Sequence, residues 1–174
     1  MDFVVFVMDD LLVERRAEGF AGQLLYWVPP VVLQRIEARP FTRDAVVTCL
    51  GYYPNTRGHF VERSKGLDEY VLIFVENGAG WIDTGGRRED VAAGNVILLP
   101  ARQRHAYGSN DRNPWTLYWF HFRGQIAEEL LKWTNFSVQT RVMTCTAWDG
   151  IRRHFHTLFA AIENGYHEHN LLEM

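Results

Sequence analysis

Apolar residues come in short blocks broken by glycine, proline and Asx residues through the middle of this chain, a pattern of strands and tight turns. Val46 to Tyr53 is β-branched and aromatic and stops at Pro54-Asn55, which predicts a buried strand. His59, Val61 and Arg63 alternate with Phe60 and Glu62, so a period of two sets those three side chains on one face. Val71 to Val75 is continuously apolar and closes at the turn signal Asn77-Gly78. Trp81–Thr84 and Arg87–Val91 flank Gly85-Gly86, whose tolerance of positive φ predicts a hairpin. Ala93-Gly94 leads into Asn95–Leu99, stopped by Pro100. His105 and Tyr107 then share a face by alternation, and Trp115–Phe122 is strand-like in composition.

The period changes at Gly124. Ile126, Leu130 and Trp133 recur at i, i+4 and i+7, the stripe of an amphipathic helix. Ile151, Phe155, Leu158, Phe159 and Ile162 form a second stripe, with Asp149 expected as its cap and Asn164-Gly165 as its stop. A third helical pattern starts near Glu168 and is cut at Met174, which predicts that these residues are part of a longer protein. At the other end, residues 1–19 read as an extension, helix or loose arm, and Pro29, Pro30 and Pro40 fit an arm lying across a barrel. The expected organisation is an extension over 1–19, an arm and barrel over 20–123, and a helical segment over 124–174. The fold class is mainly β with C-terminal α: a small barrel followed by two to three helices.

Composition narrows the function. A chain of 174 residues buries about 70% of its unfolded surface, enough for one core without disulfide or metal. Its net charge of −3 and its short, scattered arginine clusters do not make a nucleic-acid footprint. Cys49 and Cys145 lack metal-type spacing, and the N-terminus has neither a basic leader nor a spanning stretch, so a cytoplasmic setting is expected. The pairs His154/His156 and His167/His169 are spaced i, i+2 and diverge on a helix, which places them on a solvated face. No nucleophile elbow, phosphate-cradling loop or Cys/His dyad is present.

The candidate chemistry lies on the strands. An arginine on the face of Val61 is expensive if buried and unpaired, so Arg63 either bends to solvent or has a partner, and a bound polar ligand is a natural one. Tyr107 and Trp119 fill a core or stack on a sugar ring whose hydroxyls meet nearby polar groups. His105 is either a structural histidine or a ligand-facing hydrogen-bonding group. His59 and His121 also sit at pocket-compatible alternations.

The motif Gly94, Pro100, His105, Tyr107 resembles the second motif of cupin-type barrels. Metal-binding cupins supply two more histidines and a glutamate from an earlier motif, but the matching stretch here, Ser64-Lys-Gly-Leu-Asp-Glu-Tyr70, has no histidine. A lone imidazole is a poor site for zinc or iron, so no metal or other cofactor is expected. The order of Gly51-Tyr-Tyr-Pro54, His59-Phe-Val-Glu-Arg63, Glu69–Trp81, Gly94–Pro100, Arg104–Gly108 and Pro114–Phe122 resembles the N-terminal effector-binding domain of AraC/XylS-type transcription regulators.

That resemblance implies a cupin-like barrel, or double-stranded β-helix, binding a sugar or another small polar metabolite. It also implies an N-terminal arm that closes over the ligand, a homodimer formed through C-terminal helices, and a helix-turn-helix module outside these residues. In a sugar-sensing member, residues matching Arg63, Tyr107 and Trp119 contact the sugar, whereas a further ligand histidine falls at Leu117 here. Arg102 stands where cupins usually carry glycine. Two rivals are a small metal-dependent cupin enzyme, an isomerase or oxygenase using His59, His105 and His121, and a barrel that only dimerises, its pocket filled by Trp81 and Trp119.

Overall fold

The computed structural model describes residues 13–40, 43–125, 129, 132, 134–137 and 140–165. The stripe Ile126, Leu130 and Trp133, the pair His167/His169 and the segment from Glu168 lie outside the described residues.

Two antiparallel sheets face each other. Strands β1 (Leu24–Trp27), β2 (Val46–Tyr53), β4 (Tyr70–Asn77), β7 (Asn95–Leu99), β9 (Thr116–Arg123) and β10 (Val142–Thr144) form a six-stranded sheet in the order β1-β2-β9-β4-β7-β10. Strands β3 (Phe60–Arg63), β5 (Ala79–Thr84), β6 (Arg87–Ala92) and β8 (His105–Ser109) form the second, in the order β3-β8-β5-β6. Consecutive strands such as β3 and β4 fall in different sheets, so the chain winds back and forth between two layers in the manner of a cupin-like barrel.

The continuous apolar runs of β2, β4 and β9 have a simple cause: both faces of their sheet are covered. Cys49, Val71, Ile73, Val75, Leu117 and Trp119 point into the space between the sheets. Leu50, Phe74, Tyr118 and Phe120 point the other way, onto Phe155, Phe159 and Ile162 of helix α2 (Trp148–Glu163). The outer face of the second sheet is instead polar. There Arg104 pairs with Glu62 at 3.2 Å and Asp83 at 3.5 Å, and Arg88 lies 4.0 Å from the centroid of the Trp81 ring. One-sided burial of that sheet is what gives β3 its clean alternation.

Three local readings change. Residues 24–37 are ordered secondary structure, not arm: β1 pairs with β2, and helix α1 (Pro30–Glu37) starts with proline in its first turn. Val32 and Ile36 of α1 pack on Val28 and Val46. Strand β10 escapes the periodicity because it is three residues held by pairing with β7. Asp149 does not cap α2; Ala147 holds that position, and Asp149 pairs with Arg152 one turn on. Gly165 ends the helix at φ 93°, as its composition predicts. His154 and His156 are exposed on α2. Among the described residues, no helix is long and apolar enough to cross a membrane.

Candidate functional site

Between the sheets lies an open-mouthed cavity of about 100 Å³. Strand β3 contributes Val61 and Arg63, and β8 contributes Tyr107. Facing them are Tyr53, Val71, Ile73, Leu117, Trp119 and His121 of the larger sheet. The lining is completed by His59, by Leu25 and Trp27 of β1, and by Ala17 and Glu18 of the N-terminal segment that precedes β1 (residues 13–20, which form the arm across the barrel). The walls are mostly apolar and aromatic with few polar groups, the usual make-up of a small-molecule site.

Register explains the polar corner. Pairing of β3 with β8 sets Arg63 opposite His105 and Val61 opposite Tyr107. The Arg63 guanidinium uses one nitrogen, Nη1, for both neighbours: it donates to the Tyr107 hydroxyl at 3.3 Å and to His105 Nε2 at 3.3 Å. His105 can accept there because its other nitrogen, Nδ1, donates to the Gln103 carbonyl at 3.0 Å. Burial, reinforced by the Arg63 charge, lowers the His105 pKa to about 4, so the ring is neutral at physiological pH. His105 is fully buried beneath Arg63 and is absent from the cavity wall; it positions the arginine.

His59 Nδ1 accepts from the Trp115 indole at 3.1 Å, and the nearby Ala17 carbonyl of the arm favours the protonated ring. Burial, then the Arg63 charge, drives its pKa down to about 3. The arm is fastened at neighbouring points. Arg16 N–H donates to the Gly58 carbonyl, Phe60 N–H donates to the Arg16 carbonyl, and Arg15 grips Asp111 through two bonds of 2.9 Å. Gly58 sits at φ 77°, and a Cβ there would collide with the Glu14 carbonyl oxygen, so the close approach of arm to barrel requires glycine. Phe20 closes the inner end of the arm against Tyr53 and His59.

On the opposite wall, His121 Nδ1 lies 3.3 Å from Glu69 Oε2. Glu69 also meets Arg123 at 3.4 Å, and Arg123 reaches Glu37 of α1 at 2.7 Å. Burial raises the Glu69 pKa, but the hydrogen bond to His121 and the charges of His121 and Arg123 outweigh it, leaving the carboxyl below its usual range. Trp119 lies against Gly51, where an added Cβ would come within 2.8 Å of the indole. Its Nε1–H is buried and has no acceptor among the described residues.

The structure therefore brings Arg63, Tyr107, Trp119, His59 and His121 onto one cavity and puts His105 behind it. The residues do not fit a cupin metal. His105 has both nitrogens engaged, His59 Nδ1 receives the Trp115 indole, His121 faces Glu69, and among the described residues no three histidine, cysteine or acidic side chains gather as a ligand set. Trp81 does not fill the cavity, because its ring lies under Arg88 and beside Phe60. Sequence reasoning passes over Tyr53, Leu25 and the arm residues. Tyr53 was signalled by its alternation with Cys49 and Gly51 along β2; the arm carries no periodic signal. Arg102 holds φ 57°, a left-handed conformation that favours glycine.

Fold and cavity define a class: a two-sheet β-barrel that encloses a small-molecule pocket beneath an N-terminal arm. The chain belongs to the AraC-like ligand binding domain family, whose model matches residues 47–173. It is 33% identical over 111 residues to the MmsAB operon regulatory protein of Pseudomonas aeruginosa, covering 62% of this chain and 36% of that protein. It is 30% identical over 83 residues to the arabinose operon regulatory protein of Salmonella typhimurium, covering 47% and 30%. A Cupin 2 conserved barrel domain protein from Salinispora arenicola aligns over 77% of this chain and 100% of its own, with 14% identity and a TM-score of 0.41. The chain spans about a third of the length of the curated relatives it matches.

Proposed function

We propose that this is the effector-sensing and dimerisation domain of a cytoplasmic AraC-type transcription regulator, and that its barrel binds a small polar metabolite, a sugar or a molecule of similar size. The observation that carries the reading is the convergence of Arg63 and Tyr107 from one sheet with Trp119 from the other on a single cavity. These residues supply a charged donor, a hydroxyl and an aromatic face, which together orient a polar molecule and cover its apolar surface.

The arm supplies the coupling. It lines the cavity with Ala17 and Glu18 and is hydrogen-bonded to Gly58 and Phe60 beside His59, so an occupant bears on the element through which occupancy would be reported. The reported change would reach a DNA-binding module outside these residues through a C-terminal dimer, with coupling typically of about 1–3 kcal/mol. Thermal unfolding of the 174-residue chain against sugars, sugar acids, hydroxy acids and divalent metals tests the reading. An effector at about 100 times its Kd raises the Tm by about 5–11 °C. Arg63→Ala, folded by circular dichroism, is expected to lose that shift. Full retention of the shift, or a response to metals alone, contradicts the reading.

A further inference from the structure

The balance of donors and acceptors inside the cavity identifies its ligand more narrowly than size does. Arg63 spends only Nη1 on the protein, so Nε–H and Nη2–H make no hydrogen bond to any described residue. The two neighbours it does contact, the Tyr107 hydroxyl and the His105 imidazole, are uncharged, and no carboxylate forms an ion pair with it among the described residues. Trp119 contributes its ring to the lining, while its indole N–H is buried in the wall without an acceptor among the described residues.

Two of the ring acceptors, by contrast, are taken: His59 Nδ1 receives the Trp115 indole and His105 Nε2 receives Arg63. Glu18 is the one carboxylate in the lining, and it is exposed. A neutral sugar brings a donor with every hydroxyl and needs matching acceptors, and the lining offers few: the hydroxyls of Tyr53 and Tyr107, the His121 ring and the exposed Glu18. A group with only acceptors, and with a charge opposite to the guanidinium, fits. The free Nε–Nη2 edge of an arginine is the geometry that binds a carboxylate through two parallel hydrogen bonds. Beyond it, Val61, Val71, Ile73, Leu117 and Leu25 form an apolar wall.

The geometry points to a small carboxylic acid as the effector, its carboxylate bidentate on Arg63 and its carbon body against the apolar wall. This rests on the sensor reading above and deepens it by naming the ligand class. Leu117 fits it well, because an aliphatic side chain packs on a hydrocarbon body and offers nothing to a hydroxyl.

Matched pairs of probes separate charge from shape: isovalerate and isovaleramide, 3-hydroxybutyrate and 3-hydroxybutyramide, galacturonate and galactose. Calorimetric titration of the full chain is expected to show at least one acid binding at least about thirtyfold more tightly than its neutral partner, since the acid supplies the counter-ion that the half-buried Arg63 lacks among the described residues. Arg63→Met is expected to erase that preference, and Arg63→Lys, which keeps charge without the fork, to retain only part of it. Far-UV circular dichroism and unliganded melting establish that both variants are folded. Equal or tighter binding of the neutral partners overturns the acid assignment and leaves the sensor reading standing. An acid preference that survives Arg63→Met overturns the assignment to Arg63. Failure of every acid to bind overturns the proposal as well, and the sensor reading is then judged by the wider unfolding panel.

Discussion

Two arginines flank the interior of this barrel, and their surroundings differ in one respect. Arg123, at the end of β9, gives Nε and Nη2 to Glu37 and Nη1 to Glu69, so its charge is answered within the chain. Arg63, on β3, gives one nitrogen to two uncharged neighbours and keeps its remaining donors free. The first arrangement ties α1 to the larger sheet. The second holds a half-buried cation against the Tyr107 ring and leaves two of its nitrogens open to a partner of opposite charge. The contrast separates a structural arginine from a binding one more clearly than residue type or exposure does.

The largest effect that probes the comparison is its pH dependence. His59 and His105, beside Arg63, have folded pKa values of about 3 and about 4, below the ordinary value near 6.5. Between those limits the unfolded chain binds protons that the native one refuses, so stability is full above pH ~6.5 and falls as the pH drops toward 4 and then 3. The combined loss is on the order of several kcal/mol. Denaturant titrations across this range check it, and His105→Gln is expected to flatten the slope. Glu69, on the Arg123 side, works in a lower window. Its folded pKa is depressed, so its contribution is present above the ordinary carboxylate range and is lost as the pH falls through the depressed value. A melting curve flat from pH 6.5 to 4 would break the distinction.

Substitutions sharpen it further. Glu69→Gln takes one carboxylate from Arg123 and the partner from His121. It is expected to cost about 1–2 kcal/mol at pH 7, a figure reduced because Arg123 is 40% exposed and screened, and to cost less as the pH falls. Arg63→Met goes the other way. The unliganded protein is expected to gain about 0.5–1 kcal/mol, since a charge without a counter-ion is removed, even though ligand binding is lost. A loss of stability as large as that of Glu69→Gln would make Arg63 structural. The smallest effect belongs to Arg15 and Asp111, whose pair is 49% and 33% exposed. Arg15→Ala is expected to change global stability by less than about 0.5 kcal/mol, although it loosens the arm.

The strands that build the cavity were legible because their patterns follow from burial. Asn95–Leu99 and the Gly85-Gly86 hairpin stand where their residues place them, and alternation alone puts Val61 and Arg63 on the cavity wall. What the sequence hid depends on contacts made at a distance. Strand β1 has four residues and takes its identity from pairing with β2, while Pro29-Pro30 resembles an arm and in fact starts a helix. Alternation also could not say that His105 would be sealed beneath Arg63, because that depends on the pairing of β3 with β8 and on the Gln103 carbonyl that fixes the imidazole. The role of Trp115, completely buried and donating to His59, was equally out of reach, since it joins residues 56 positions apart.

The central claim is that a small molecule sits inside the barrel between Arg63 and Trp119, and indole ¹⁵N–¹H spectra test it most directly. The Trp119 and Trp81 signals can be assigned from Trp119→Phe and Trp81→Phe. On titration with the acid that binds most tightly, the Trp119 indole signal is expected to move in step with binding, because its ring lines the cavity, while the Trp81 signal under Arg88 stays in place. Binding that moves Trp81 and leaves Trp119 unchanged would put the ligand outside the barrel and contradict the account.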